Sequence, residues 1–144
     1  MYHKILVPID LNEGGFSDKA ATVAADLAEH FKAELVLLNV VPGYNMPMVG
    51  SYFPKQAFND FLREANANLA EAAKESLQGR SIRYQCLVAE GKPVDVIIQQ
   101  AVASQADLIV MASHKYRRFE RQVIGTVANK VIAKTDIPVL VVKP

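Results

Sequence analysis

Five short, mostly apolar runs rich in β-branched residues recur along this chain: Ile5–Ile9, Leu35–Val41, Ile82–Val88, Leu108–Ala112 and Ile137–Val142. Their hydrophobicity is continuous rather than alternating, which suits strands covered on both faces, as in a parallel sheet. Between them lie segments with helical spacing. Ala20, Val23, Ala24, Leu27, Ala28 and Phe31 fall on one face, with Ser17 placed to cap the start. Phe58, Phe61, Leu62, Ala65, Leu69, Ala72 and Ala73 repeat the pattern over a longer stretch. Val94, Ile97, Ile98, Ala101 and Val102 make a third stripe, with Pro93 at a first-turn position, and Val123, Ile124, Val127, Val131 and Ile132 make a fourth.

The order is therefore β-α-β-α-β-α-β-α-β. Right-handed crossovers turn that order into an open five-stranded parallel sheet, doubly wound, with helices on both faces: an α/β fold. The 144 residues are expected to form one domain spanning 1–144, with no internal repeat, linker or low-complexity tail.

A net charge of +1 gives the whole chain no electrostatic reason to seek nucleic acid or an anionic membrane. The opening MYHKILVPID holds too short an apolar run for a signal peptide or a membrane span. One cysteine, Cys86, cannot form an intramolecular disulfide, so a reducing, cytoplasmic setting is expected. Placed within the third strand, Cys86 reads as a buried small hydrophobe.

Ligands of open α/β sheets bind beyond the carboxyl ends of the strands, where the strand order reverses. After the first strand comes Asp10, a carboxylate placed to accept bonds from a ribose, to hold a metal, or to close its own loop. After the fourth comes Ser113-His114-Lys115, with a helix starting near Gly125-Thr126. Between them Lys115, Arg117, Arg118 and Arg121 outweigh Glu120, a surplus of three positive charges. A positive loop beside a helix amino terminus is a physical anion site, although a solvated basic loop has the same composition. His114 has no Ser or Cys partner evident in sequence, and His3 and His30 have no metal-ligand spacing with it. The P-loop and the glycine-rich dinucleotide fingerprint are both absent. A receiver-domain reading is weak, because Asp10 stands alone and Leu87-Val88-Ala89-Glu90 supplies no Asp. The stretch Pro42–Pro54 is unusually apolar for a loop, with Tyr44, Met46, Met48, Tyr52 and Phe53. It reads as a lid, a subunit contact or a segment packed on its own domain.

At these residues the sequence resembles the universal stress protein family over nearly its whole length. Pro8-Ile9-Asp10 matches the family's Pro-x-Asp strand end, and Pro138–Val142 matches its closing Pro-Val-Leu-Val-Val. Between them lies the pattern Gly-x2-Gly-x9-Gly-Ser/Thr, kept here as Gly125-Thr126 with its nine-residue spacing but with Ala112 and Lys115 at the first two glycines. The resemblance implies an adenine nucleotide α-hydrolase-like fold with ATP or AMP as the bound cofactor, Mg included as an option. It implies that Pro8, Ile9 and Asp10 line the adenine and ribose side and that Val40 packs against the base. Met111 and Ala112 would approach the ribose or phosphates, and Ser113, His114, Lys115, Gly125, Thr126 and Val127 would hold the phosphates.

The function implied is a regulatory, stress-responsive nucleotide-binding module. Two alternatives stand beside it: a slow ATP hydrolase, and a ligand-free dimeric interaction module if Lys115 blocks the pocket. No positioned base or complete metal site is read from the chain, so any turnover is expected to be slow. The family resemblance also puts the last strand, Ile137–Val142, at the sheet edge. Pairing with its copy would satisfy the exposed backbone there, so the expected partners are an adenine nucleotide and a second copy of the chain, with no nucleic acid and no membrane.

Overall fold

The apolar runs form strands because each sends alternate side chains into two separate cores. In a computed structural model, which describes residues 1–11, 19–41, 54–113 and 125–144, the strands are β1 (Lys4–Pro8), β2 (Glu34–Val41), β3 (Arg83–Glu90), β4 (Leu108–Ala112) and β5 (Val139–Val142). The helices are α1 (Lys19–Phe31), α2 (Lys55–Ser76), α3 (Pro93–Ala103) and α4 (Thr126–Lys134). All strand pairs are parallel, in the order β3-β2-β1-β4-β5. The expected α/β architecture is present.

Ile5, Val7, Leu35, Leu37, Leu108 and Val110 point to one face, where the alanines of α1 and Leu69, Ala73 and Leu77 at the end of α2 cover them. Leu6, Val36, Leu38, Ile109 and Met111 point to the other, against Val96, Ile97 and Ala101 of α3 and Ala128 and Val131 of α4. This two-sided burial explains why β1, β2 and β4 read as unbroken apolar runs. The outer strands differ. β3 is nowhere fully buried, and Cys86 is only partly covered, not the buried hydrophobe its sequence context suggests.

Three expected core residues face outward. Val102 is 64% exposed, because it lies roughly 140° around the helix from Ile97; Val96 fills the sheet-facing place instead. Ile132 sits at the border of the buried face of α4 and is 42% exposed. Phe61 shares the helix face of Phe58 and Ala65, yet it overhangs a cavity rather than the sheet. Ser17, proposed as a cap for α1, lies outside the described residues, as do Val123, Ile124 and the Pro42–Pro54 stretch up to Phe53. Pro93 does open α3, where its missing N–H removes no helical bond.

At the amino-terminal edge of the sheet, the Asp107 carboxylate accepts the N–H groups of His3 (2.8 Å) and Lys4 (3.1 Å). Its own N–H donates to the Lys4 carbonyl at 2.9 Å, so this one residue fastens the start of β4 to the start of β1. On the flank, Arg80 donates to Glu29 (2.8 Å) and Asp26 (2.5 Å), tying the turn after α2 to α1.

Candidate functional site

The chain winds outward from β1 to β3 on one side and from β4 to β5 on the other, so the strand order reverses between β1 and β4. Helices α1 and α2 occupy one face and α3 and α4 the other, so no crossover covers the carboxyl ends of those two strands. Their register is short: Ile5 lies opposite Leu108 and Leu6 opposite Ile109, against five paired positions between β1 and β2.

Beyond the carboxyl ends of β1 and β2 opens a cavity of about 470 Å³. Asp10 and Leu11 line it from the end of β1, Asn39, Val40 and Val41 from the end of β2, and Phe61, Glu64, Ala65 and Asn68 from α2. Gly91 and Pro93, between β3 and α3, complete the wall. Gly91 holds φ +137, and its N–H donates to the Val41 carbonyl at 2.9 Å. A β-carbon there would stand 2.9 Å from Cγ2 of Val96, so only glycine lets the chain turn this tightly against α3.

The structure brings Asp10 and Val40, two residues expected at the base and ribose, to the same cavity. Pro8 is partly exposed at the end of β1, whereas Ile9 and Met111 are each 4% exposed and turned into the core. Ile9 and Met111 can therefore meet a ligand only through their backbone. The Ile9 N–H is engaged with the Leu38 carbonyl at 2.7 Å. Ala112 ends β4, and its methyl packs against the core on the α1 side.

Ser113 is the only buried polar side chain among the described residues, at 3% exposure. Its N–H donates to the Val142 carbonyl (3.0 Å), and its Oγ accepts the N–H of Gly125 (3.1 Å). Gly125 is the N-cap of α4, with Thr126 exposed and Val127 partly buried in the first turn. In an α-helix the first amides have no intrahelical acceptor, so those at the start of α4 can meet an anion. His114 and Lys115, with the remaining cations of their loop, lie outside the described residues.

Sequence reasoning missed the α2 wall and the turn at Gly91. One signal was available: Gly91-Lys92-Pro93 follows a strand end directly, as the residues after β1 and β4 do. The α2 wall had none, because Glu64 and Asn68 look like any solvated helix positions. Among the described residues no group of three or more His, Cys, Asp or Glu side chains gathers as a metal site, and no helix is long and apolar enough to cross a membrane.

Comparison with known proteins agrees with this architecture. The family model of the universal stress protein family matches residues 1–143. A universal stress protein of Methanocaldococcus jannaschii, MJ0531, is 32% identical over 99% of this chain and 83% of its own length. The solved structure of MJ0577, from the same organism, superposes with a TM-score of 0.74 at 28% identity, covering all of this chain and 97% of that one. A more distant fold neighbour is the universal stress protein of Archaeoglobus fulgidus in complex with dAMP, with a TM-score of 0.64, 20% identity and 97% of each chain covered. From the strand order, the two-sided core and the match along its whole length, the chain belongs to the universal stress protein family.

Proposed function

We propose that this chain binds an adenine nucleotide, ATP or AMP, across the carboxyl ends of β1 and β4, and that occupancy regulates its interactions during stress. The observation that supports the reading is that a partly apolar cavity beyond β1 and β2 and the amino terminus of α4, held past the end of β4, lie at the same carboxyl edge of the sheet. The cavity of about 470 Å³ falls within the range of small-ligand pockets. Val40 and Phe61 offer it apolar surface, and Asp10 offers an acceptor for ribose hydroxyls. The start of α4 offers amide donors to phosphates, and the basic residues Lys115, Arg117, Arg118 and Arg121 follow β4 in sequence. The dAMP complex of the Archaeoglobus fulgidus neighbour supports an adenine nucleotide as the class of ligand to test first.

Contacts are assigned to Pro8, Ile9, Asp10, Val40, Met111, Ala112, His114, Lys115, Gly125, Thr126 and Val127, those of Ile9 and Met111 through backbone atoms, while Ser113 belongs to the site through its hydrogen bond with Gly125. Among the described residues Asp10 and Glu64 are the carboxylates at the cavity wall, and Mg would be held between such a carboxylate and the phosphates of the nucleotide. Its part there is to neutralise phosphate charge, while the protein holds and orients the nucleotide. A second copy of the chain, paired along β5, and a cytoplasmic setting belong to the same proposal.

Mass spectrometry of small molecules released on denaturation is expected to show an adenine nucleotide. Titration with labelled ATP should then show saturable binding that weakens about tenfold or more in Gly125→Val, whose side chain obstructs the start of α4. Unchanged affinity in that variant would place any bound nucleotide elsewhere.

A further inference from the structure

We propose that Ser113 is a positioning residue, which aims the amino terminus of α4 at the cleft without spending its own groups on the ligand. The inference rests on the nucleotide-binding reading above and assigns one residue a different part in it. Ser113 is the sole polar side chain in the described core, in a fold whose other buried positions are apolar. A serine there calls for a hydrogen-bonding reason. That reason is visible: Oγ accepts the Gly125 N–H at 3.1 Å across twelve positions of sequence. The Ser113 N–H is itself fixed to the Val142 carbonyl at 3.0 Å. The end of β4, the end of β5 and the start of α4 are thus joined at one residue.

Gly125 at the N-cap of α4 has no side chain with which to cap the helix itself. Packing of Ala128 and Val131 seats the helix on the sheet, and the bond between Gly125 and Ser113 fixes its N-cap. By taking the Gly125 N–H, Ser113 leaves the next amides, those of Thr126, Val127 and Ala128, as the donors that face a phosphate. A small swing of this terminus would misplace several donors at once. Loss of Ser113 should thus be felt in proportion to the number of phosphates, and not by the nucleoside.

The experiment uses the full chain and measures the affinities of ATP, AMP and adenosine for the wild type, Ser113→Ala, Gly125→Pro and the double variant, with thermal melts alongside. Gly125→Pro deletes the same bond from the donor side, and the Gly125 φ of −51 suits the proline ring. Gly125→Ala retains the N–H and controls for bulk. Ser113→Ala is expected to lower ATP affinity about tenfold, AMP affinity less and adenosine affinity less than about twofold. In the Gly125→Pro background, Ser113→Ala should have no further effect; with Gly125 kept, Ser113→Thr, which retains the hydroxyl acceptor, should lose less affinity than Ser113→Ala.

Equal losses for ATP and adenosine would show that Ser113 only stabilises the fold, and an additive double variant would show that the two residues act separately. Either result overturns the proposal, as does unchanged ATP affinity in Ser113→Ala. Should that variant not fold, Gly125→Pro against Gly125→Ala decides on the same comparison of ligands. A wild type that binds none of the three ligands overturns the nucleotide-binding reading itself, and the role of Ser113 with it.

Discussion

Two glycines show how differently single residues can constrain this chain. A β-carbon added at Gly79, where φ is +80, would meet nothing within 4 Å, so only the backbone conformation there resists substitution. Gly91, at φ +137, meets Val96 as well and lines the cavity. Alanine at Gly79 should cost about 1 kcal/mol, the left-handed backbone penalty alone. At Gly91 both effects act, and about 2–4 kcal/mol is expected. Urea midpoints of the two variants check the difference, and comparable values would mean that α3 shifts freely away from Gly91. Sequence did not reveal this distinction, because a glycine in a turn looks the same whether its neighbour is water or a valine. Asp10 stood out because strand ends are where such sheets bind ligands, and Val40 through the family resemblance; both line the cavity. Ser113 was legible as the residue past a strand end but not in its bonds, which join positions far apart along the chain.

Among the elements, β4 is held at both ends by side-chain bonds of different kinds. Asp107 fastens its start to β1 through the N–H groups of His3 and Lys4. Ser113, one residue past its end, ties the strand to α4. Asp107→Ala should destabilise the fold by about 2 kcal/mol, since two backbone donors lose a charged acceptor. Asp107→Asn, which keeps one acceptor oxygen, should lie between. Because Asp107 stands at the sheet edge opposite the cavity, nucleotide affinity of the folded Asp107→Ala protein should stay unchanged. Denaturant unfolding beside an ATP titration separates the two effects. The strands were readable from their apolar runs, and the inner three most clearly, since burial on both faces leaves no polar interruption of the pattern. Helix faces were less so: a stripe of apolar residues fixes a helix's face only to within a residue either way, which is how Val96 and Val102 came to exchange roles.

For the whole molecule, the sheet ends in two edges, β3 and β5. Leu140 on β5 is 38% exposed, an apolar side chain on a strand whose outer backbone has no neighbour in the sheet. Pairing through β5 predicts a dimer. Light scattering at micromolar concentration should give twice the chain mass, and Leu140→Lys should shift it toward the monomer. A wild type that stays monomeric would contradict this assembly. Overall architecture was the most legible level of all, because the alternation of strand and helix, the handedness of crossovers and two-sided burial all admit the same winding. Positions within the loops were not, since nothing in a loop repeats.

The brevity of the ladder between β1 and β4 has a mechanical meaning. With two paired positions, this seam has the shortest ladder in the sheet, against five, eight and four at the β1–β2, β2–β3 and β4–β5 joins. One half of the molecule carries β1, β2 and β3, the other β4 and β5, and the ladder stops three residues short of Ala112. A molecule gripped by Val40 on one bank and by α4 on the other would lie across that fork like a rivet. Holding it would add a link at the open end of a seam that α1 and the two cores already span and that Asp107 closes at its other end.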